Sequence, residues 1–459
     1  MYKSRFVRAA TLAMLAQLVS MGVSALTVFW LASALSPVTY GRWQLYLLLG
    51  SFSGLFHLGL CDGVYLRLGG RRFDELDLPR EGSIFRRMNA VLSAVATVGV
   101  VAVCLLDGVD GRGTVYILAL SYMPLFNAAA YLGFVQQATD NTAVYSLSVV
   151  IERLSFGGAV AAAVVLGATD FRIYAACSIA SKLAALVYLA LKSKNLLTAP
   201  AARGVGETVR KDISSGFRLM SAHLAGHLTT GAARLAVIYN YGDAAFGKVS
   251  FAITLAGLFL QFISQLTMVL FPTLRRQDGA GRREAFGRLG RLARLLLPGV
   301  LLAYLPLKTV ISAFLPSYAA EMEHLALLLP LCLFEGNVHL VGASYLKVSG
   351  RVGLLWGLEL TAAATALALC FGAAYIGLGV AGILTAAVVA SVLRSLLFDV
   401  AVGEGAWQST AWLLLSAAVF LLTASLMGDV PALLSYGVLY LGYLGVMTWR
   451  RGGLPALIK

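Results

Sequence analysis

Charge is what this sequence has least of. Asp, Glu, Lys and Arg together make up 13% of its 459 residues, against roughly 25% in an ordinary soluble domain. Apolar residues reach 59% and mean hydropathy is +0.81. A water-soluble globular domain is therefore excluded, and a membrane protein is predicted. Cysteine is also scarce. Cys61, Cys104, Cys177, Cys332 and Cys370 all fall within apolar runs, with no CxxC spacing and no Cys/His cluster. That argues against a disulfide framework or a thiolate metal site and predicts small core residues.

What the sequence does have is long apolar runs. Crossing the hydrocarbon core takes about 20 residues of helix. Fourteen runs qualify: residues 11–35, 44–66, 88–106, 114–136, 143–166, 171–191, 217–240, 245–271, 295–314, 324–346, 352–374, 378–398, 410–427 and 431–448. The N-terminal MYKSRFVRAA is basic and leads into a run too long for a signal-peptide core, so the first run is expected to be a retained helix. The connections are short and most carry Gly, Pro, Asp or Asn, as turns at a membrane surface should.

Acidic residues number 22 against 36 Lys plus Arg, which leaves a net charge of +14. With the N-terminus inside, 28 of the 36 basic residues fall in cytoplasmic segments, Arg394 counted among them. Four (Arg42, Arg112, Arg172, Lys248) fall in outer loops and four (Arg153, Lys182, Arg234, Lys308) inside spans. Short cytoplasmic loops retain basic residues. The expectation is a multi-pass protein of the cytoplasmic (inner) membrane with both termini cytoplasmic. Basic loops facing anionic lipid account for the net charge, so no nucleic-acid partner is implied.

One pattern occurs twice. Residues 40–56 read YGRWQLYLLLGSFSGLF and residues 246–262 read FGKVSFAITLAGLFLQF. Each is an aromatic, a glycine and a basic residue, then an apolar run that ends near paired arginines, Arg71-Arg72 and Arg275-Arg276. In this topology both motifs are outer turns, before spans 2 and 8. An even number of spans between them keeps the halves in one orientation, a parallel repeat of the kind transporters use around a substrate site. The basic stretch KSKNLLTAPAARGVGETVRK joins the halves.

The turn YGRW, the segment HLGLCDGVYLRLGGRR at residues 57–72 and the second-half LTMVLFPTLRR at residues 266–276 resemble the polysaccharide transporter branch of the multidrug/oligosaccharidyl-lipid/polysaccharide (MOP) exporter superfamily, which contains the O-antigen flippases. The resemblance implies an all-α polytopic, MATE-like fold with 14 transmembrane helices: two pseudo-symmetric six-helix bundles and two extra C-terminal helices. The N-lobe (helices 1–6) would occupy residues 1–196, a cytoplasmic basic linker 197–216 and the C-lobe (helices 7–12) 217–400. Helices 13–14 and a cytoplasmic C-terminus would occupy 401–459. The resemblance further implies a V-shaped cavity lined chiefly by helices 1, 2, 7 and 8, and alternating access for a polyprenyl-pyrophosphate-linked sugar. Its motifs shape a scaffold; they imply a substrate class, no particular glycan, and no catalytic motif that carries over residue by residue.

The chemistry then has to come from ionisable residues inside the spans, each costing about 2.5–3.5 kcal/mol at the bilayer centre on insertion scales and so facing a cavity or a partner. Span 7 places His223, His227 and Arg234 within roughly 40° of one another on one helix face. The functional reading is a binding track for phosphate or acidic sugar, with Arg234 as a bidentate fork and the histidines titrating near neutral pH. The competing reading is interhelical hydrogen bonding, with Arg234 snorkelling outward. A metal on the HxxxH spacing is disfavoured, since no carboxylate or Cys lies nearby on that helix. On span 5, Glu152 and Arg153 point about 100° apart. Glu152 is expected to pair with Lys182 of span 6, which leaves Arg153 available to substrate.

Span 10 carries Glu335 and His339 at i, i+4, read either as an ion- or proton-coupling pair or as a structural hydrogen bond. Glu359 is expected to pair with Arg351 or Lys347, and Lys308 to reach headgroups. Gln17, Ser24, His57, Gln261 and Gln265 are weaker cavity candidates on the helices the resemblance puts there, each also readable as interhelical glue.

The leading expectation is a flippase for lipid-linked oligosaccharide (O-antigen, capsule or exopolysaccharide unit), with the bilayer, H+ or Na+ and other polysaccharide-assembly membrane proteins as candidate partners. A lipid II flippase or a multidrug/toxin exporter of the same fold is the alternative. Span 1 lacks the Arg or Asp a lipid II flippase would be expected to carry, and Arg and His stand where a cation exporter would need carboxylates. A membrane glycan polymerase fits less well. The outer loops hold about ten residues or fewer, short even for ordinary connections. No loop offers a Ser/His/Asp set, a phosphate-cradling glycine loop or metal-ligand spacing. A non-enzyme without cofactor or metal is expected.

Overall fold

The computed structural model describes residues 2–139, 141–275, 279–403 and 406–449. Side chains are described from Leu15 on, apart from Ala16, residues 265–280, Arg282, Arg283, Ala320, Asp429 and residues 447–449. All regular structure among the described residues is helical. The chain divides into two compact units, Met1–Leu224 and Ala225–Lys459. The first contains α1 (Tyr2–Ala34), α2 (Pro37–Ser51), α3 (Leu60–Leu68), α4 (Leu78–Leu106), α5 (Arg112–Ala138), α6 (Thr142–Val165), α7 (Phe171–Lys192), the short α8 (Lys194–Thr198) and the first turns of α9 (Gly206–Arg275). The second contains the rest of α9, then α10 (Gly279–Leu296), α11 (Tyr304–Phe314), α12 (Met322–Asn337), α13 (Ala343–Val348), α14 (Val352–Tyr375), α15 (Gly379–Val402), α16 (Trp407–Leu426) and α17 (Asp429–Trp449).

Among the described residues eleven helical stretches are long and apolar enough to cross a membrane, and the bent pair α2–α3 makes a twelfth. One of the eleven, Gly206–Ser264, is two helices in one, because Gly242 at φ 78°, ψ −174° interrupts it. With the shorter apolar Val430–Val446, the fourteen expected spans are accounted for. Burial shows which of them meet lipid. Only 11% of the apolar window of α4 is buried in the protein, whereas 83% of that in Met322–Val348 is. The second is therefore surrounded by protein, the condition under which a spanning helix can carry charge. In unit 1, α5 holds the corresponding place, packed by α2, α3, α4, α6 and α7.

Span 2 departs from the continuous helix expected over 44–66. It breaks between α2 and α3 with a 61° bend. Leu58 (φ 52°) and Gly59 (φ 86°) are both left-handed there, a conformation costly for leucine and free for glycine. The break leaves backbone donors that hydrocarbon cannot satisfy, and His57 supplies one acceptor: its Nδ1 receives the Gly59 N–H at 3.0 Å. Beyond the bend, α3 lies against the start of α9 with backbone touching backbone. A Cβ on Gly63 would stand 1.9 Å from the Asp212 carbonyl oxygen, and one on Gly216 would stand 2.0 Å from that of Gly59. The linker is thus partly helical, since α9 begins at Gly206.

The duplicated motif was expected to be an outer turn, but in both copies it lies within a helix, one turn after a break or start. Ser36 caps α2, its hydroxyl accepting the Thr39 N–H at 3.3 Å with Pro37 as first residue, and Tyr40 follows four positions later. In the second copy Gly242 breaks α9 and Phe246 again follows four positions later. Both aromatics are fully buried. The offset from break to aromatic is what repeats, and it sets the aromatic on the inward face one turn in. The paired arginines Arg275 and Arg276, and the segment 266–276 that carries them, lie outside the described residues or side chains.

Two further expectations are corrected. Cys61, Cys332 and Cys370 are buried as predicted, but Cys104 is exposed on α4 and Cys177 half-buried, because lipid-facing positions need only be apolar, not enclosed. Arg394, counted with the cytoplasmic loops, lies inside α15 at 2% exposure.

Candidate functional site

Unit 1 contains a half-open cavity of about 190 Å³ lined from four helices. Helix α2 contributes Tyr46, Gly50 and Ser51, α5 Tyr122 and Phe126, α6 Glu152, Arg153 and Phe156, and α7 Ser178 and Ser181. Gly50 on α2 and Gly54 in the turn Ser53–His57 after it leave the chain close to the rings of Tyr122 and Phe126, at 3.6–3.7 Å from where a Cβ would stand. The rings form a continuous wall: Tyr46 meets Tyr122 edge-on at 5.9 Å and Tyr122 meets Phe126 at 5.9 Å. Trp43 stacks behind on Tyr46 at 5.5 Å and on Phe156 at 6.0 Å.

As expected, Glu152 takes Lys182. Lys182 Nζ donates to Glu152 Oε2 at 2.6 Å and sits 5.4–5.8 Å from the centroids of Phe126 and Tyr122, so Lys182 is engaged by a carboxylate and two ring faces. Arg153 is directed differently. It borders the cavity, and its Nε is buried with no hydrogen-bond partner. Tyr46 donates to Ser178 Oγ at 3.2 Å, which fixes a hydroxyl on the same wall.

In unit 2 the ionisable residues are arranged otherwise than by helical spacing. Glu335 and His339 do not form the pair read from i, i+4. The chain turns π-helical over Val338–Gly342, which adds a residue to the turn and rotates His339 away from the register of Glu335. Glu335 instead accepts from Arg394 and, at 2.9 Å, from Ser391. Arg394 also holds Glu359 through two hydrogen bonds of 2.8 Å, so Glu359 pairs with neither Arg351 nor Lys347. One turn on, Asp399 accepts from Asn337 at 3.1 Å and from the Thr410 hydroxyl at 2.7 Å, which ties α16 to α12 and α15.

The remaining candidates fall in several places. Arg234 donates to Thr254 at 2.9 Å across the Gly242 break. His223, in unit 1, and His227, in unit 2, carry exposed side chains. His57 is buried in the α2–α3 break, with Nε2 3.9 Å from Asp62, and serves the bend. Gln17 and Ser24 on α1 and Gln261 on α9 are half-buried, and the side chain of Gln265 lies outside the described residues. Lys308 stands 5.7 Å from the Tyr304 ring centroid.

Sequence reasoning missed two clusters. Arg67 forks onto Glu81 (2.7 and 3.0 Å) and Asp212 (2.9–3.1 Å), and Tyr131 donates to Glu81 at 3.2 Å. Lys248, the basic residue of the second motif, donates to Glu321 at 3.1 Å, and His324 Nδ1 lies 2.6 Å from the same carboxylate. Glu321 stands in the connection Pro316–Glu321 before α12. The hydrogen bond with His324, and after it the one from Lys248, hold its carboxyl below the ordinary value against the opposing effect of burial. Glu81 and Glu321 stand within a turn of the starts of α4 and α12, a signal the sequence offered, whereas Asp212, six residues into α9, gave none.

No protein-family model matches the sequence, and no curated protein matches it. Solved structures do match the fold. The lipid II flippase MurJ in an inward closed conformation superposes with TM-score 0.64 at 10% identity, covering 97% of this chain and 99% of that one. An inward-facing multidrug resistance MATE family transporter of the MOP superfamily gives 0.60 at 12% identity, covering 88% and 98%. A MOP superfamily transporter from Pyrococcus furiosus, described as having reversed polarity in its binding pocket, gives 0.51 at 12% identity, covering 90% and 96%. The fold is therefore the one seen in MOP superfamily transporters, an all-α multi-pass membrane architecture. The match to MurJ leaves 3% of this chain uncovered, too little to omit the 20 residues of α16 or the 21 of α17.

Proposed function

We propose that the protein is a transporter that moves a polyprenyl-pyrophosphate-linked oligosaccharide, an O-antigen, capsule or exopolysaccharide unit, from the inner to the outer leaflet of the cytoplasmic membrane by alternating access. The observation that carries this reading is the unit-1 cavity, where Arg153 presents a guanidinium with an unpartnered Nε among serine hydroxyls and aromatic rings. Such a lining suits the hydroxyls and negative charge of a glycan headgroup. A cationic drug would meet an uncompensated positive charge there, so drug export is disfavoured. Arg234, His223, His227 and Lys182 are assigned to substrate contact as well. The prenyl tail remains in lipid, and no covalent step is required of the protein.

Lipid II transport is the second reading, favoured by how much of this chain the MurJ fold covers. We assign ion coupling to Glu335, whose carboxylate would exchange Arg394 for a proton or Na+, with His339 and Glu152 as secondary candidates. The test is flipping by the purified protein in liposomes that contain a fluorescent polyprenyl-pyrophosphate oligosaccharide and an impermeant quencher, with and without a pH or Na+ gradient. Accelerated exposure of the protected pool, lost in Arg153→Ala and Arg234→Ala proteins that remain folded, is the expected result. Export of a cationic dye with no glycan movement would overturn the proposal, and activity with lipid II alone would select the second reading.

A further inference from the structure

The charges around the unit-1 cavity do not balance. Glu152 and Lys182 neutralise one another at 2.6 Å. Arg153 makes no hydrogen bond or ion pair among the described residues, and its Nε is shut off from solvent. One positive charge therefore remains uncompensated beside Ser51, Ser178 and Ser181 and the rings of Tyr46, Tyr122, Phe126 and Phe156. Arg153 is half-buried, and keeping its Nε from solvent without an acceptor costs about 1–3 kcal/mol, which a ligand that brings an acceptor to this guanidinium would recover.

We infer that this cavity binds a single carboxylate-bearing sugar residue of hexuronate type, with Arg153 taking the carboxylate. The inference deepens the proposed function and rests on it for the ligand's origin in a lipid-linked glycan. A hexuronate carries one negative charge, which matches the single surplus positive charge. A phosphate monoester carries about −1.5 to −2 at pH 7, overshoots that balance, and would face Glu152 on the same wall. A neutral hexose would leave Arg153 uncompensated.

Size and shape agree with the charge. At the roughly 15 Å³ of probe volume that each water-sized group occupies, the cavity of about 190 Å³ has room for one sugar ring, and its open side leaves the rest of a glycan outside. The apolar face of a pyranose presents weakly positive C–H groups, which suit the negative faces of aromatic rings, while its hydroxyls find Glu152 and the serines. A guanidinium is the group of choice for a planar carboxylate because it donates two parallel hydrogen bonds.

The test uses the purified full-length protein with Trp43 as the single tryptophan retained of six, because Trp43 stacks on two residues that line the cavity, Tyr46 and Phe156. Its fluorescence is followed during titration with sodium glucuronate, glucose and sodium phosphate, against sodium chloride. A saturable change with glucuronate alone is expected. Half-saturation should rise about tenfold or more in Arg153→Gln, while Arg153→Lys retains a measurable part of the affinity. No saturable response to glucuronate, an equal response to glucose or phosphate, or an Arg153→Gln protein that melts like wild type and binds like it would overturn the inference. If Arg153→Gln does not fold, the order of the three ligands on the unsubstituted protein decides alone. Glucuronate binding without any glycan flipping would strike the proposed function and leave this site standing. Flipping of glycans with no response to glucuronate would do the reverse.

Discussion

Arg67 and Asp212, 145 residues apart, are joined by three hydrogen bonds of 2.9–3.1 Å. The same guanidinium holds Glu81, so one cation serves two carboxylates that are 2–3% exposed. Removing one partner of such a cluster strands a buried charge and costs about 3–5 kcal/mol. Arg67→Met should lower the thermal midpoint of the purified protein sharply. The neutral triple variant Glu81→Gln, Arg67→Met, Asp212→Asn should regain most of the loss. An Arg67→Met protein as stable as wild type would show that the cluster carries no stability.

The close crossing of α3 and α9 depends on Gly63, where a Cβ would stand 1.9 Å from a backbone oxygen that has no rotamer with which to move aside. Gly63→Ala should prevent folding or separate the two helices, read as loss of monodisperse protein. Gly257 has nothing within 4 Å of the same position. Gly257→Ala should therefore be neutral or stabilise by up to about 1 kcal/mol through helix propensity. Equal behaviour of the two alanine variants would remove steric closeness as the reason for Gly63.

Arg394 sits 2% exposed between Glu335 and Glu359. Arg394→Met should cost about 3–5 kcal/mol, whereas Glu335→Gln, which leaves the Glu359 pair in place, should cost less. In the flipping assay Glu335→Gln should reduce the response to an imposed gradient while flipping at zero gradient persists. A response equal to wild type would end the coupling assignment.

Glu321 ties Lys248 to the connection before α12, and its carboxyl is held below the ordinary range in the folded protein. A depressed folded value contributes stability at all pH above the unfolded carboxyl value, about 4.3, and that contribution is lost as pH falls through the lower folded value. The midpoint difference between wild type and Glu321→Gln should shrink as pH falls below about 4.3. A difference that grows on acidification would contradict the sign.

Some of this was open to the sequence, because hydrocarbon makes a demand that is local. Each span must by itself be long and apolar enough to satisfy its backbone, and so fourteen runs could be counted, and the Glu152–Lys182 pair could be named from two adjacent spans. The duplicated aromatic was visible too, although its place one turn inside each helix was not. Which face of a helix meets which neighbour is a different kind of fact. Glu335 finds Arg394 59 residues away because α12 and α15 pack together, and a π turn that leaves little trace in composition takes His339 out of register. Gly59 and Gly63 fell inside the second apolar run, 44–66, with nothing in it to mark the bend at Gly59 or the close crossing of α9 at Gly63, and Arg67 read as one more basic residue of a loop. Span number and apolarity follow from the solvent each helix must cross. The pairing of charges and the cavity that leaves Arg153 unmatched follow from helix rotation and close packing, which are decided only when the helices stand together.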